Sequence, residues 1–338
     1  MNSDPVASVR ARVIAVHKNR WEIQLHDGRH LEAIAVRGLD PDLPVVGDWV
    51  TATLRQTDTI ARITAIEPRR TYLSRKRPGD VEHDAVVEQP IAANIDVALL
   101  AMADDDFSVR RLERYLTLAW DSGATPIIVL TKADLTSPEV LQLMAADAQS
   151  VSLGIQTVVT SAFTGQGLNE LREILVPGSC AIVLGSSGVG KSSLLNALAG
   201  TDLQNVSHVR QFDGKGRHTT TSRRLIELPW GAYLVDTPGL RELQIWGDEQ
   251  SLSHSFADVE DIAAQCRFSD CTHDTEPGCA VQEAVAQGLL AAERLQSWRR
   301  LHRELAYLAR KTDGGAARAE RQRWKAIAKQ QRAIKRDR

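Results

Sequence analysis

Two short stretches, and the order in which they occur, restrict this chain more than its composition does. The first is LTKADL, residues 130–135, and the second is GSSGVGKSS, residues 185–193. The second places Gly185, Gly190, Lys191 and Ser192 at the fixed positions of the pattern Gly, four residues, Gly-Lys-Ser, after an apolar strand-like run and before a helix-like one. In such a loop the glycines let backbone N–H groups curl around phosphate, with Ser186, Ser187, Gly188, Val189 and Ser193 completing the turn. Lys191 reaches the β and γ oxygens and Ser192 ligates magnesium at the helix N-terminus. In Thr131-Lys132-Ala133-Asp134 the Asp134 carboxylate can accept two hydrogen bonds from guanine N1–H and the exocyclic amine, a pair adenine cannot offer, while the Lys132 stem stacks on the ring. The base reader precedes the phosphate cradle, the reverse of the usual order. A parallel sheet tolerates this, because every site loop sits at the carboxyl ends of its strands, so joining the old termini and cutting elsewhere leaves the site intact. The order predicts a circularly permuted nucleotide-binding α/β domain.

The remaining motifs fit that reading. DTPG, residues 236–239, follows the phosphate loop at the end of a strand-like run; Asp236 can hold magnesium through water and the Gly239 N–H can sense a γ-phosphate. Between the two lies GRHTTT, residues 216–221, polar as a switch segment must be to close over Mg-GTP. One of its threonines, Thr220 among the candidates, is expected to ligate magnesium, and His218 is either catalytic or a solvated side chain. Ser161-Ala162, at the end of the strand after TKAD, fits the small loop whose backbone contacts the guanine oxygen. Thr131 stands where many such sites have asparagine. It lacks the amide that would tie the base to the phosphate loop, which predicts some loss of affinity. Leu240 follows DTPG where many GTPases place the glutamine that orients water. A leucine cannot do so, which predicts slow intrinsic hydrolysis and a partner that completes or orders the site, as activators elsewhere raise rates by ~10³ to 10⁵.

Around this domain the pattern changes twice. Residues 8–67 read as five short strands, with Asp27-Gly28 as a hairpin turn, and predict a small closed barrel of the OB type at 1–70. Residues 71–94, rich in charge with Gly79 and two prolines, read as a connector. From 95 to 245 strands alternate with helices, as in a parallel α/β sheet. After that the strand signal stops, and Leu295, Trp298, Leu301, Leu305 and Leu308 recur at helical spacing, predicting a helical domain at 246–338. Within it, CRFSDCTHDTEPGC gathers Cys266, Cys271, His273 and Cys279 into fourteen residues. Three thiolates and an imidazole complete a tetrahedral zinc site, and a closed four-ligand site is structural. Cys180, in the run entering the phosphate loop, reads as a core residue.

Charge separates the last segment from the rest. Residues 298–338 hold 14 Lys/Arg against 4 Asp/Glu, although the whole chain carries a net charge of only −2. A basic helix after Gly314-Gly315 on an acidic body suits contact with nucleic acid, because lysine and arginine displace counterions condensed on phosphate. No run of ~18 apolar residues and no charged-then-apolar leader occurs, which predicts a cytoplasmic protein without membrane association.

The motif order TKAD, GSSGVGKSS, GRHTTT and DTPGL, followed by CRFSDCTHDTEPGC, resembles the RsgA family of bacterial circularly permuted GTPases over nearly the whole chain. The resemblance implies an OB-fold, a GTPase domain and a zinc domain in a monomer that uses GTP/GDP and Mg²⁺. It implies action late in small ribosomal subunit maturation through binding of rRNA near the decoding region, with hydrolysis stimulated by the subunit and linked to release. Its guanine-nucleotide contacts fall on residues 131–134 and 185–193 and its zinc ligands on the Cys/His stretch; other ribosome maturation factors are candidate partners. A different class of reading is a GTP-dependent RNA-binding module with little hydrolysis of its own. Lys191, Ser192 and Asp236, which supply the phosphate and magnesium contacts of catalysis, favour the enzyme. An adenine-nucleotide enzyme is the third reading, and Asp134 argues against it.

Overall fold

The computed structural model describes residues 7–312 except 18, 37–38, 40–42, 56–58, 77–87, 153, 201–222, 237–251, 254 and 270. His218, Thr220, Gly239, Leu240 and the basic stretch beyond 312 lie outside the described residues. By contact the chain divides into two compact units, residues 1–74 with 90–243 and residues 75–89 with 244–338.

The first unit starts with β1 (Ala7–His17), β2 (Arg20–Leu25), β3 (His30–Ala35), β4 (Trp49–Leu54) and β5 (Ile60–Ile66). Strict alternation in RWEIQL turns Trp21, Ile23 and Leu25 inward against Val13, Val50 and Ile63. Gly28, at φ +82°, closes the β2–β3 turn by donating to the Leu25 carbonyl at 3.0 Å; a Cβ would be strained at this φ. The pairing runs β1–β2–β3, then β3–β5 in parallel, then β5–β4, and β4 returns to β1. That closed order is the predicted five-stranded OB barrel.

β6 (Tyr72–Lys76) and β7 (Glu88–Ala93) pair as a two-stranded ribbon, within residues that the sequence reads as a connector. Pro90 is tolerated there because a two-stranded ribbon has edges where a missing N–H costs no ladder bond.

The nucleotide sheet contains β8 (Val97–Met102), β9 (Thr125–Leu130), β10 (Thr157–Val159), β11 (Cys180–Leu184), β12 (Arg223–Glu227) and β13 (Tyr233–Asp236), in the spatial order β10-β9-β8-β11-β13-β12. All pairs are parallel except β12–β13. β8 and β11 are buried along their whole length, as continuous apolar runs in a covered parallel sheet require. α1 (Val109–Ser122), α2 (Pro138–Val151), α3 (Leu168–Ile174) and α4 (Lys191–Ala199) fall between the strands. α1 ends where Gly123 takes φ +80° and donates back to the Ala119 and Trp120 carbonyls; α2 begins at Ser137, whose hydroxyl accepts from Val140 N–H, with Pro138 at its first position.

The barrel and the nucleotide sheet are one continuous sheet. The last residues of β1 pair with β12, Ala15 opposite Arg224 and Val16 opposite Arg223. Arg224 reaches Glu22 of β2 at 2.9 Å, and the buried Arg12 guanidinium lies 4.6 Å above the Tyr233 ring. β12 is thereby pinned to the barrel immediately after the GRHTTT segment in the sequence.

The second unit holds α5 (Ala257–Ala263), α6 (Ala280–Ala286) and α7 (Ala292–Thr312). Leu295, Trp298, Leu301 and Leu305 of the predicted helical stripe are buried together with Phe256, Val259 and Val281. Arg294, 7% exposed, is held by both Asp258 oxygens at 2.8 and 3.0 Å and by the Ser255 carbonyl at 2.7 Å, with Phe256 beneath it. A buried guanidinium so paired leaves an uncompensated charge if either partner is removed.

Candidate functional site

At the carboxyl end of β11 the chain turns sharply into α4 through the GSSGVGKSS loop. Gly188 and Gly190 take φ values of +83° and +98°, and a Cβ on Gly185 would lie 2.7 Å from the Ala101 carbonyl. Those three positions accept only glycine, for two different reasons: left-handed backbone at the first two and close strand approach at the third. Lys191, first residue of α4, folds its ammonium back over the loop and donates to the Gly185 carbonyl at 2.8 Å and to that of Ser186. Burial lowers its pKa, and the nearby Asp106 carboxylate opposes that shift. Ser192 and Ser193 stand exposed in the first turn of α4, so their hydroxyls, the free N–H groups of the helix and one partly desolvated cation converge on one place.

The base-reading stretch follows β9 and abuts this loop. Thr131 is buried, and its hydroxyl lies 2.6 Å from the Val189 carbonyl of the phosphate loop and 3.1 Å from the Met102 carbonyl. One hydroxyl has one proton, and the shorter contact identifies Val189 as the main acceptor. A threonine hydroxyl thus supplies a tie of its own between the base-reading stretch and the phosphate loop, with Gly190 alongside Thr131. Lys132 adopts φ +56°, which aims its stem beside Gly190 while its ammonium meets Asp105 at 3.0 Å. Asp134 is exposed, and its Oδ1 accepts from the Ser161 hydroxyl at 2.5 Å. That hydroxyl in turn accepts from the N–H groups of Phe163 and Thr164 at 3.2 and 3.1 Å, so Ala162 sits in a turn folded directly against the carboxylate.

Two groups joining these parts are absent from the motif reading. Asp104–Asp106 form a short 3-10 turn after β8. Asp105 takes Lys132, while Asp106 takes the Ser186 hydroxyl and the Arg111 guanidinium, so one turn braces both base reader and phosphate loop. The run of three acids at a strand's carboxyl end is the available signal in the sequence. At the end of β13, burial raises the pKa of Asp236; the rest of the sequence-predicted switch residues lie outside the described residues.

In the second unit Cys266, Cys271, His273 and Cys279 place one donor atom each within 4.8 Å of one another. His273 Nδ1 lies 3.5 Å from both the Cys266 and Cys279 sulfurs, which are 3.9 Å apart. Ligands about 2.0 to 2.3 Å from a tetrahedral zinc stand at such separations. Burial pushes Cys271 up to about 11, with the neighbouring thiols adding to the shift, whereas at Cys266 burial is outweighed by the Val281 and Ala280 N–H groups, which pull it down. Burial lowers the His273 pKa and so favours the neutral imidazole a metal requires. The left-handed His273 backbone, φ +58°, is held by Gln282, which donates to its carbonyl at 2.6 Å, and by Arg299. The donor set fits one structural zinc.

Comparison with known proteins bears directly on these sites. Residues 66–246 match the family model described as RsgA GTPase. A Listeria innocua protein named small ribosomal subunit biogenesis GTPase RsgA 1 is 44% identical over 324 residues, covering 94% of this chain and 90% of that protein. The chain belongs to the RsgA GTPase family.

An Opitutus terrae protein named small ribosomal subunit biogenesis GTPase RsgA is likewise 44% identical, over 96% of this chain and 91% of its own. Among solved structures, that of YjeQ from Thermotoga maritima superposes with a TM-score of 0.68 at 29% identity, covering 89% of this chain and 99% of that one. A second, described as YloQ, a circularly permuted GTPase, gives 0.63 at 23% identity, a likeness of fold. Membership of the RsgA family makes this chain a GTP-hydrolysing enzyme and implies GTP or GDP with Mg²⁺ at the loops described above. Among the described residues no helix is long and apolar enough to cross a membrane.

Proposed function

We propose that this chain acts on the small ribosomal subunit and its rRNA late in subunit maturation, with GTP hydrolysis stimulated by the subunit and linked to release. The observation that carries the reading is the pairing of a full set of phosphate and guanine groups with a leucine at the water-orienting position. The chain carries the groups to hold GTP but has Leu240 where many GTPases place the glutamine that aims water. The subunit partner comes from the names borne by relatives that align over nine-tenths or more of both chains.

In this reading the Asp134 carboxylate, fixed by the Ser161 hydroxyl, takes the guanine edge, and the Lys132 stem covers the ring. Lys191 exchanges its loop carbonyls for phosphate oxygens, a trade of neutral for charge-assisted hydrogen bonds. Ser192 and Asp236 would hold magnesium, with a GRHTTT threonine, Thr220 first, joining them and His218 near the attacking water. Magnesium, when bound, neutralises charge developing between the β- and γ-phosphates. The Gly239 N–H would report the γ-phosphate to the segment that enters the second unit. The zinc loop and the barrel supply RNA-facing surfaces, the basic tail adds counterion-releasing charge, and the protein works as a cytoplasmic monomer alongside other maturation factors.

Co-sedimentation with purified small subunits tests the cycle. Retention with a non-hydrolysable GTP analogue and loss with GDP is the expected result. Equal retention in both states would leave a GTP-indifferent RNA-binding module and contradict the link between hydrolysis and release.

A further inference from the structure

The first half of the phosphate loop, residues 185–188, belongs neither to β11 nor to α4. In the nucleotide-free chain Lys191 holds it, because the ammonium donates to the Gly185 and Ser186 carbonyls. In the proposed cycle those bonds are given up when the ammonium turns to phosphate. Among the described residues one other side-chain hydrogen bond reaches residues 185–188, donated by the Ser186 hydroxyl to Asp106. Neither of its partners is a group that has to leave for phosphate to bind. Asp106 is itself a fixed point. Its N–H donates to the Ala103 carbonyl at 3.0 Å, and Arg111, in the first turn of α1, donates to its carbonyl at 2.7 Å and pairs with its carboxylate. The carboxylate is 24% exposed and meets a guanidinium, so it stands beside the phosphate loop as half of an ion pair and not as a bare anion. Its field also favours the charged form of Lys191, against the burial that disfavours it.

We infer that Asp106, held by Arg111, is a positioning residue for phosphate binding: through the Ser186 hydroxyl it keeps the first half of the loop in place once Lys191 has turned to the phosphates. The inference rests on the proposed role of Lys191. It separates Asp106 from its neighbour Asp105, whose partner Lys132 serves the base. A loop without this tie has to be ordered by the ligand itself, and the ordering entropy then subtracts from affinity. That loss falls on ligands that draw Lys191 away from the loop carbonyls. It is therefore a property of phosphate recognition and not of base recognition.

The test is the equilibrium affinity of the full-length protein for GTP, GDP and guanosine in the parent, Asp106→Ala, Asp106→Asn, Ser186→Ala and the double variant Asp106→Ala with Ser186→Ala. Asp106→Ala is expected to weaken GTP and GDP roughly tenfold, the size of one lost hydrogen bond to a charged group, with guanosine affinity unchanged. Asp106→Asn keeps an oxygen that can accept from the hydroxyl and should lie nearer the parent. Ser186→Ala removes the same bond without touching Arg111, so it decides the matter if Asp106→Ala does not fold. It should reproduce the loss, and the double variant should be no weaker than either single one, because both changes delete one interaction. Parent-like GTP affinity in Ser186→Ala would overturn the role, as would losses that add in the double variant. An equal loss of guanosine affinity would also overturn it and leave the acidic turn a support of the fold alone. Tighter GTP binding by Asp106→Ala, the sign expected of a carboxylate that only repels phosphate, would overturn it as well. Lys191→Ala binding GTP as tightly as the parent would overturn the reading of Lys191, and the role of Asp106 with it.

Discussion

The polar groups of the nucleotide site come from loops after five strands, β8, β9, β10, β11 and β13, spread from Asp105 to Asp236, whereas the four donors of the metal cluster come from fourteen consecutive residues. The first is gathered by a sheet. Its loops meet only because parallel strands all deliver their carboxyl ends to one edge, and cross-loop bonds from Thr131, Ser161, Asp105 and Asp106 then lock them together. The second is gathered by a local turn that no sheet positions, and its groups, left without a cation, are three thiols and a desolvated imidazole in mutual contact. The sheet-built site should keep its shape without ligand, while the turn-built one should depend on its metal.

Metal removal should therefore have the largest effect. Chelation, or Cys279→Ala, is expected to release one zinc per chain and to unfold the segment between α5 and α6, since structural zinc contributes on the order of 10 kcal/mol in small sites. Calorimetry should show the second unit melting separately while nucleotide affinity is retained. Simultaneous loss of nucleotide binding would break the contrast between the two regions.

A smaller effect is expected from cutting one lock of the sheet-built site. Thr131→Val keeps shape but leaves the buried Val189 carbonyl without its donor, a cost of about 1 to 2 kcal/mol. GTP affinity measured by titration should fall up to about tenfold, and Thr131→Ser, which keeps the hydroxyl, should lie nearer the parent. Equal affinities would mean that the loops hold together without this bond.

The smallest effect is a gain. Burial raises the Asp236 pKa in the folded chain above its unfolded value. The carboxyl thus contributes stability when protonated, below the ordinary carboxylate range, and that contribution is lost as pH rises through the raised folded value. At neutral pH the ionised, partly buried Asp236 is a cost. Asp236→Asn should raise the Tm of the nucleotide-free protein slightly at pH 7 while abolishing turnover, and the difference should vanish in acid. A fall in Tm at neutral pH would contradict this account of its environment.

The same contrast explains what the sequence could tell. GSSGVGKSS and the Cys/His stretch are legible because glycine φ values and ligand spacing are local properties, fixed within a few residues. The five-stranded OB barrel was readable from alternation and the Asp27-Gly28 turn. The β6–β7 ribbon was not, because charge and prolines interrupt the alternation that marks a strand, and pairing is settled by the partner. The Thr131 bond was not legible, since the acceptor of its hydroxyl, Val189, is supplied by a loop far along the chain. Asp105 and Asp106 carried a visible signal, three acids at a strand end, but their partners Lys132 and Ser186 become neighbours only in the folded sheet.

GTP turnover by the purified protein, with and without purified small ribosomal subunits, most directly tests the claim that a nearly complete site waits on a partner for hydrolysis. The account predicts slow turnover alone, a rise of about tenfold or more with subunits as for other partner-completed GTPases, and no rise with the Lys191→Ala protein. Fast turnover without subunits, or no stimulation by them, would contradict it.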